Sequence, residues 1–400
     1  MKRNHSALLA LALIVCLFGA ISSLAAVHYV NANGSNAAPP YTNWVTAATN
    51  IQDAVSVASA NDTIIVTNGV YPGLVQVTNA LALVSVNGPL VTLIKGGLTN
   101  RCAYLTADGA SMTGFTLTNG YNRNIGGGGV FCSSRNVFLT NCIITGNITM
   151  GHWWTFLGGS IYEDPSYGGG VCEGTLHNCM LTRNSADGGG GAADSILYNC
   201  TLSDNSGITT GEGQYYHFGS GGGVYNCRLY NCIVYYNQAA SFANYTGSTL
   251  EYCCTTPLPA DGVGNIADEP LYVDTNGWNN LHLQTNSPGI NTGNNDYVTT
   301  ATDLDGNPRI AGGTVDMGAY EFQPCITGGQ FCDAACSHLT GFSFTFSGAI
   351  VGQSYRIQTS TNLAAGSWTD LTNFNYTGPV VITDPSAVAG PKKFYRAVSP

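Results

Sequence analysis

One nine-residue phrase recurs along the chain with the same residue types at the same offsets. Each copy begins with Leu, carries Asn-Cys at its third and fourth positions and closes on Asn: LTNCIITGN (139–147), LHNCMLTRN (176–184), LYNCTLSDN (197–205) and LYNCIVYYN (229–237). A shorter variant, LEYCCT, begins at Leu250. The second and third copies start 21 residues apart. A period this short is typical of architectures in which small repeats stack on one another.

Within each copy, the Cys and the residue two positions later are apolar, which is typical of a strand with one face turned inward. The Leu breaks this alternation, and we interpret the Asn after it as a corner, because Asn tolerates left-handed backbone. These corner residues are Asn141, Asn178, Asn199 and Asn231. The closing residues, for which we predict a second corner, are Asn147, Asn184, Asn205 and Asn237.

Such units, in a chain with few helix signals, predict a parallel β-solenoid whose coils stack about 4.8 Å apart. Stacked Asn amides would hydrogen-bond along the axis, and stacked Cys and Leu would fill the interior. Upstream segments 63–71, 80–97 and 103–120 predict earlier coils, the last with Phe115 and Leu117 inward. Residues 50–60 predict a short amphipathic helix, N-capped by Asn50 with Asp53 at N3, that plugs the open end.

Composition excludes several classes of protein. Only 9% of residues are charged, 44% are hydrophobic, and the net charge is −10. A nucleic-acid partner is not expected, because neutralising phosphates requires clustered Lys and Arg, and no basic run exists here.

The segment after Lys2 and Arg3 is apolar to about Ile21 and precedes Ser23-Leu24-Ala25, which predicts a secretory leader over residues 1–26 that is cut near Ala25 or Ala26. We therefore expect a secreted or cell-surface bacterial protein, without a membrane span in the mature chain and monomeric.

Three stretches together resemble a known family: NIQDAVSVASANDTIIVTNGVY (50–71), the GGGV and NC repeats, and SPGINTGNNDYVTTATDLDGNPRIAGGTVDMGAYEFQ (287–323). They look like the bacterial secreted right-handed parallel β-helix proteins of the pectin-lyase-like superfamily, of the choice-of-anchor Q domain type. The resemblance implies an all-β chain: a right-handed parallel β-helix with its cap helix over residues 27–323, then a small β-sandwich. The superfamily includes polysaccharide lyases, glycoside hydrolases and non-catalytic surface proteins.

Residues 341–400 alternate apolar and polar residues in short runs and are similar to the Ig-like modules of bacterial secreted proteins. Residues 324–340 form a Cys-containing linker. No hydrophobic sorting tail follows, so the anchor that the family name implies is not evident.

The cysteines and one acidic loop offer alternatives for chemistry. Thirteen cysteines remain after Cys16 in the leader, and we favour buried, unpaired thiols that act as apolar fillers. A zinc site at Cys325, Cys332, Cys336 and His338 has unusual spacing, and a linker disulfide is favoured over it. The segment DLDGNPR (303–309) resembles the start of a calcium loop but lacks the bidentate Glu, so we favour a turn, with Arg309 paired to Asp316 or Glu321. No cofactor is expected, although calcium remains open.

Two long insertions occur at one place in the repeat. Residues 149–167 and 206–220 replace the short turn Ser-Ala-Asp that follows Asn184, so both should emerge from the same edge, where solenoids usually bind. With coils at about 4.8 Å, the two walls would stand about 10 Å apart, with Asp187 near the floor. The predicted ligand-binding residues are Trp153, Trp154, Tyr162, Asp187, Tyr215, Tyr216 and His217.

Aromatic faces suit sugar rings and carboxylates suit hydroxyl groups, so we predict that an extracellular polysaccharide binds these loops. The alternative is a polysaccharide-degrading enzyme, either a lyase or a glycoside hydrolase. A hydrolase requires two carboxylates about 5 to 10 Å apart, and the candidates are Glu163, Asp164 and Glu212. A lyase would use Arg183 or Arg228, the cations in these coils. A third alternative is that the aromatic residues only cover the flank of the solenoid.

Overall fold

Each copy of the repeated phrase folds into a strand, a corner and a second strand. The computed structural model describes residues 25–123, 126–155, 161–212, 215–217, 219–275, 280–323, 330–337, 341–347, 349–362, 367–387 and 393–399. The predicted leader therefore lies almost entirely outside the described residues. Cys179 and Cys200 occupy equivalent positions in adjacent coils, since Met180 pairs with Thr201 in parallel register. This is the arrangement that the solenoid prediction requires.

The corner asparagines adopt the predicted left-handed conformation. Their φ angles are 51° at Asn141, 50° at Asn178, 50° at Asn199 and 54° at Asn231. In the shorter copy, Tyr252 takes the same position with φ 51°. A single residue at this angle turns the chain between two strands without a longer loop, which keeps the coils in register.

The second corner lies one residue earlier than predicted. The left-handed residues are Gly146, Arg183, Asp204 and Tyr236, each directly before a closing asparagine. The closing asparagines instead turn their side chains into the solenoid. Asn184, for example, is fully buried and donates from Nδ2 to Asn205 Oδ1 at 2.9 Å. The need to bury this amide explains why the closing residue is always Asn. The residue before it, which forms the corner, differs from coil to coil.

Two long parallel sheets lie on either side of the asparagine corner. Sheet A has nine strands: Val27–Val30, Thr63–Val66, Ala82–Ser85, Ser111–Thr113, Phe138–Thr140, Thr175–His177, Ile196–Tyr198, Arg228–Tyr230 and Thr249–Glu251. Sheet B has eight: Gly69–Pro72, Thr92–Lys95, Thr116–Thr118, Ile143–Thr145, Met180–Thr182, Thr201–Ser203, Ile233–Val234 and Cys254–Thr255. Each strand pairs with the strand one coil away, which is the definition of a β-helix.

Two further parallel sheets are shorter and complete the coils in which they occur. Sheet C follows the glycine clusters and has seven strands: Val75–Val77, Ala103–Leu105, Val130–Cys132, Val171–Cys172, Ala192–Ala193, Val224–Tyr225 and Tyr245–Thr246. Sheet D follows the closing asparagines and has five: Tyr121–Arg123, Ile148–Met150, Ser185–Ala186, Ser206–Gly207 and Gln238–Ala239. The predicted fold class, a right-handed parallel β-helix followed by a small β-sandwich, is confirmed.

Leucine and cysteine columns fill the interior. The inward leucines of sheet A are buried and in register: Leu139, Leu176, Leu197, Leu229 and Leu250. The unbridged, buried cysteines among the described residues are Cys102, Cys132, Cys142, Cys172, Cys179, Cys200, Cys227, Cys232, Cys253 and Cys254. Burial raises the pKa of Cys102 and of Cys227 to about 12. Both of these thiols are protonated at neutral pH and act as packing groups rather than nucleophiles.

The predicted cap helix spans Ile51–Val57. Asn50 accepts a hydrogen bond from the Asp53 backbone N at 2.8 Å, as expected of an N-cap. Ile51, Ala54 and Val55 are buried in the same hydrophobic core as the coil interior. The helix therefore packs its apolar face on the first coils. None of the helices in the described part of the chain combines the length and the apolar character that a membrane crossing requires.

The chain divides into two compact units between Ala267 and Asp268. The stacked coils belong to the first unit. The second unit begins with an antiparallel pair, Tyr272–Asp274 with Asn280–Leu283, and a 3-10 helix at Asn295–Tyr297. The division falls within residues 27–323, the range that the resemblance assigns to the β-helix.

The second unit also contains two three-stranded antiparallel sheets. One comprises Gln330–Ser337, Gly341–Ser347 and Val380–Asp384, and the other Thr369–Asn375, Ser354–Ser360 and Phe394–Val398, with a 3-10 helix at Pro385–Ala387. Phe344, Phe346, Ile357, Tyr376 and Ile382 form a common core, so the sheets make a small sandwich. Its first strand lies in the predicted linker and includes Cys332 and Cys336, whereas Cys325 and His338 lie outside the described residues.

Candidate functional site

Both long insertions fold into antiparallel hairpins that start from the same sheet. The first hairpin, His152–Thr155 with Ile161–Asp164, follows the sheet D strand Ile148–Met150. The second hairpin, Thr210–Glu212 with Tyr215–His217, follows the sheet D strand Ser206–Gly207. The strand between them, Ser185–Ala186, carries the short turn. The two insertions thus emerge from one edge of the solenoid, two coils apart.

The hairpins approach each other closely. Cα atoms of the strand Ile161–Asp164 lie within 8 Å of Cα atoms of the strand Tyr215–His217. This spacing is smaller than the roughly 10 Å expected from two coil steps. The two hairpins therefore lie side by side at the edge of the solenoid, where together they form a rim.

The strand register fixes the backbone positions of most predicted site residues. In the first hairpin Trp153 is opposite Glu163 and Trp154 is opposite Tyr162. In the second, Tyr215 is opposite Glu212. The remaining hairpin candidates are Asp164, opposite His152, Tyr216, opposite Gly211, and His217, opposite Thr210. The structure places all of these candidates in the two adjacent hairpins.

Asp187 lies in the short turn between the hairpins but is engaged within the protein. Its side chain is 4% exposed. Oδ2 accepts hydrogen bonds from the Ser166 backbone N at 2.7 Å and from Ser166 Oγ at 2.8 Å. Because Ser166 lies two residues after the end of the first hairpin, Asp187 holds the base of that hairpin. A ligand hydroxyl would have to displace Ser166 to reach this carboxylate.

The outer face of sheet C, directly after the rim, carries an aromatic layer that the sequence analysis missed. Tyr104 and Phe131 stack with ring centroids 5.2 Å apart. The Arg101 guanidinium lies 5.5 Å from the Tyr104 centroid and 5.4 Å from the Phe131 centroid. The Arg101 side chain also donates to the carbonyl oxygens of Gly127 and Gly126. This end of the layer is therefore held in place by a cation over two aromatic rings.

A second aromatic pair lies further along the same face. The rings of Tyr167 and Tyr225 are 4.8 Å apart, and Tyr167 lies three residues after the end of the first hairpin. Gly188 permits this contact, because a Cβ at that position would lie 2.7 Å from Tyr167 Cδ1. Burial and the neighbouring Tyr225 raise the pKa of Tyr167 to about 12, so its hydroxyl stays neutral. Tyr167 links the rim to the aromatic layer.

Carboxylates border the other edge of sheet C. Glu173 and Asp194 follow equivalent strands in adjacent coils, and both have left-handed backbone, with φ 61° and 55°. Burial and the nearby Asp194 raise the pKa of Glu173, while Arg135 opposes the shift. Arg135 is fixed by a hydrogen bond from Nε to the Asp194 carbonyl oxygen at 2.9 Å. Asp194 Oδ1 accepts from Asn226 Nδ2 at 2.5 Å.

A sequence signal existed for these residues. In three successive coils the residue directly after the sheet C strand has a carboxylate or an amide side chain: Glu173, Asp194 and Asn226. The signal is weak because the strands themselves differ in sequence. The cations that the sequence analysis named for a lyase lie elsewhere: Arg228 begins a sheet A strand, and Arg183 forms the corner after a sheet B strand.

The acidic loop of the second unit forms a turn around the carboxylate of Asp303. Asp303 Oδ1 accepts from the backbone N of Asp305 at 3.0 Å and of Asn307 at 2.8 Å. The predicted pairing of Arg309 is with Glu321, at 3.0 Å between Nη2 and Oε2, and both side chains are buried. Within the described ranges, no group of three or more His, Cys, Asp or Glu side chains is arranged to hold a metal ion.

Comparisons with known proteins add little beyond the fold. No protein-family model and no curated protein matches the chain. Among solved structures, pectate lyase Pel9A matches with 12% identity and a TM-score of 0.34, over 75% of this chain and 97% of that one. A pectin methylesterase mutant in complex with hexasaccharide IV matches with 10% identity and a TM-score of 0.27, over 57% of this chain and 80% of that one. The fold assignment therefore rests on the strand pairing itself.

Proposed function

We propose that this chain is a secreted or cell-surface member of the pectin-lyase-like superfamily that binds an extracellular polysaccharide. The observation that carries the proposal is the position of the two aromatic-rich hairpins, which form one rim beside the aromatic outer face of sheet C. The ligand chain would lie along the rim, across the coils.

The chemistry of this surface suits a carbohydrate. Sugar rings have apolar faces that stack on aromatic side chains, and their hydroxyl groups hydrogen-bond to charged and amide groups. The sheet C face offers both types: the pairs Tyr104–Phe131 and Tyr167–Tyr225, and the side chains of Glu173 and Asn226 at its border. Arg101 and Arg135 are each held by a hydrogen bond to a backbone carbonyl, which fixes the layout of the surface before a ligand arrives.

Replacing single aromatic residues tests this proposal. Trp153 and Trp154 occupy consecutive strand positions, which alternate between the faces of a ribbon, so each is changed to Ala separately, together with Tyr225→Ala. By analogy with stacking of bases on aromatic side chains, we expect a loss of about 1 to 3 kcal/mol in binding free energy for at least one tryptophan and for Tyr225. Calorimetric titration against a panel of neutral, cationic and anionic polysaccharides provides the measurement.

A matched control lies on another face. Tyr230 belongs to an aromatic stack on sheet A, 5.0 Å from Tyr198, and Tyr230→Ala should leave affinity unchanged. If all three site variants bind every polysaccharide as the parent does but unfold at a lower temperature, the aromatic residues only cover the flank and the proposal is wrong.

The alternative function is cleavage of the bound polysaccharide. One observation favours it: Glu173 has a raised pKa beside a second carboxylate, Asp194, in the adjacent coil, an arrangement used for acid–base work. Glu173→Gln and the hairpin variants Glu163→Gln, Asp164→Asn and Glu212→Gln should retain binding in either case. A hydrolase would lose the release of reducing ends, and a lyase the release of unsaturated products. A binding protein forms neither product before or after substitution.

Export is part of the same proposal. A leader over residues 1–26 would deliver the chain to the polysaccharide, with a β-helix over residues 27–323, a linker over 324–340 and an Ig-like sandwich over 341–400. The choice-of-anchor Q assignment and the monomeric state belong to this proposal as well. Mass spectrometry of exported protein should find its first residue near Ala26 or Val27, and an intact leader on mature protein would contradict export.

A further inference from the structure

The backbone nitrogen of Ala26 donates a hydrogen bond to Asp62 Oδ1 at 2.7 Å. Its position is fixed by the first strand of sheet A, because Val27 pairs with Thr63 and the Thr63 N donates to the Ala26 carbonyl oxygen at 2.9 Å. Ala25 is exposed and Ala26 is half-buried. The nitrogen therefore sits at the border between solvent and the start of the first coil.

Asp62 is a preformed, buried acceptor. Its exposure is 4%, and its second oxygen accepts from the Ser59 backbone N at 2.7 Å and contacts His28 Nε2 at 3.1 Å. His28 is equally buried, and its Nδ1 lies 2.7 Å from the Pro40 carbonyl oxygen. Burial on its own would raise the pKa of Asp62, but the hydrogen bonds from Ala26, Ser59 and His28 hold it below its ordinary value. A charged carboxylate thus lies beside the Ala26 nitrogen.

The predicted leader cleavage changes the chemical group that makes this contact. The small-x-small pattern Ser23-Leu24-Ala25 directs a signal peptidase to the Ala25–Ala26 bond. Hydrolysis by water places the hydroxyl group on the Ala25 carbonyl carbon and releases the Ala26 nitrogen as an amine. That amine takes up a proton, since a free α-amino group has a pKa of about 7.7 to 8.0, and an adjacent carboxylate favours its charged form.

We propose that Asp62 is the binding site for the new α-ammonium group of the processed chain. Removal of the leader converts a neutral hydrogen bond into an ion pair that fastens the first strand of sheet A. Because Ala26 is half-buried, the other two ammonium hydrogens can bond to water, and the charge stays solvated. This inference rests on the proposed export, and it selects Ala26 over Val27 as the first residue, because a chain that begins at Val27 lacks the nitrogen that reaches Asp62.

The test compares four proteins that share the rest of the chain. They start at Ala26 or one residue earlier at Ala25, after release from a removable fusion, and carry either Asp62 or the substitution Asp62→Asn. An amine-reactive ester at neutral pH labels them, and mass spectrometry follows the N-terminal peptide, with the exposed Lys95 as internal reference. The exported protein, processed from its own leader, is measured in parallel.

Among the proteins that start at Ala26, we expect the α-amine to react about tenfold more slowly when Asp62 is retained than after Asp62→Asn, which corresponds to one pKa unit. The proteins that start at Ala25 should react quickly with or without the substitution. Asp62→Asn should also lower the unfolding temperature more in the protein that starts at Ala26 than in the one that starts at Ala25, which separates the ion pair from the loss of the His28 contact.

Equal labelling rates in all four proteins would overturn the proposal, and so would exported protein that begins at any residue other than Ala26. Because the fusion-derived proteins need no export and no polysaccharide, these results are independent of whether the aromatic surface binds a glycan. Failure of glycan binding would leave the ion pair standing, and failure of the ion pair would leave the glycan proposal standing.

Discussion

A buried asparagine solves a problem of hydrogen bonding that recurs in four successive coils of this solenoid. Asn205 Oδ1 accepts from the backbone N of Asn184 at 3.1 Å and from its Nδ2 at 2.9 Å. Asn205 Nδ2 donates to the Leu181 carbonyl oxygen and to Asn237 Oδ1, each at 2.9 Å. Donor and acceptor are thus satisfied in both directions, although the side chain is fully buried. No other side chain of this size presents two donors and a carbonyl acceptor together.

Asn205→Ala should therefore be costly. The substitution removes the acceptor of the buried Asn184 backbone N and of one Nδ2 hydrogen of Asn184, whose other Nδ2 bond goes to the Ile144 carbonyl oxygen. We expect a loss of about 2 to 4 kcal/mol in the free energy of unfolding, since each stranded group costs about 1 to 3 kcal/mol and neighbours relax in part. Denaturant unfolding measures the change.

The control for this change is Asn68→Ala. Asn68 is exposed and contacts Asn87 Nδ2 at the surface, so its removal should cost no more than about 0.5 kcal/mol. Equal effects at both positions would mean that the asparagine column contributes no more than surface polarity does.

At the scale of elements, the sequence predicted what repeats and missed what varies. The corner asparagines and the inward leucines recur in every full copy, so their roles in the turn and in the interior could be predicted from spacing alone. The second corner was predicted one residue late because its residue type changes from Gly146 to Arg183, Asp204 and Tyr236. No pattern of residue type marks that position.

The aromatic layer of sheet C was missed for a similar reason. Its outward positions hold Tyr104, Phe131, Cys172, Ala193 and Tyr225 in successive coils, so no repeat is visible in the sequence. Only the parallel register brings these residues into one column. The hairpins could be predicted as insertions at one edge, but their mutual approach depends on how antiparallel ribbons leave the coil, which residue spacing does not encode.

The second hairpin should be removable without unfolding the coils. Residues 206–219 are replaced by Ser-Ala-Asp, the turn that the chain itself uses at 185–187, so that Ser220 keeps its pairing with Gly188. Coil stability depends on the stacked sheets and the interior columns, and loop length alters stability only weakly. We expect a cooperative transition within about 1 kcal/mol of the parent by denaturant unfolding, while polysaccharide affinity falls. Loss of cooperative unfolding would show that the hairpin is part of the coil structure.

The sandwich contains a carboxylate that should make it sensitive to acid. Asp384 is fully buried, and although burial opposes ionisation, hydrogen bonds from Ser386, Lys393 and Tyr395 hold its pKa at about 2. Because this value lies below the ordinary 3.8, the stabilisation is fully present above about pH 4 and is lost as the pH falls towards 2. Asp384→Asn should lower the unfolding temperature at neutral pH and flatten its dependence between pH 4 and 2 in calorimetry.

The exposed Asp370 of the same sandwich provides the matched control. Its side chain is 50% exposed and lies 3.7 Å from Arg356 Nη1. Asp370→Asn should change the unfolding temperature little and leave the acid dependence intact. A parent protein whose unfolding temperature is constant from pH 7 to pH 2 would contradict the role assigned to Asp384.

For the whole molecule, the charge balance decides which polymer can approach. The chain has 23 acidic and 13 basic residues, and a net charge of −10. The electric field of a negatively charged protein repels polyanions. The range of this repulsion depends on the salt concentration and is about 30 Å at 0.01 M and 10 Å at 0.1 M. The rim adds Glu163, Asp164 and Glu212 to this field, whereas Arg101 and Arg135 are the cations at sheet C. A neutral or cationic glycan is therefore the expected ligand.

The dependence of polysaccharide affinity on salt concentration tests this expectation. Affinity for a neutral polysaccharide should stay constant between 0.01 and 0.5 M salt, while any affinity for polygalacturonate should rise severalfold over the same range as repulsion is screened. Calcium should strengthen binding of the polyanion further, since it can bridge carboxylates of the protein and the polymer. If polygalacturonate instead binds most tightly at low salt without calcium, then Arg101 and Arg135 outweigh the acidic rim locally. The ligand would then be an anionic chain that lies on the outer face of sheet C, away from the hairpins.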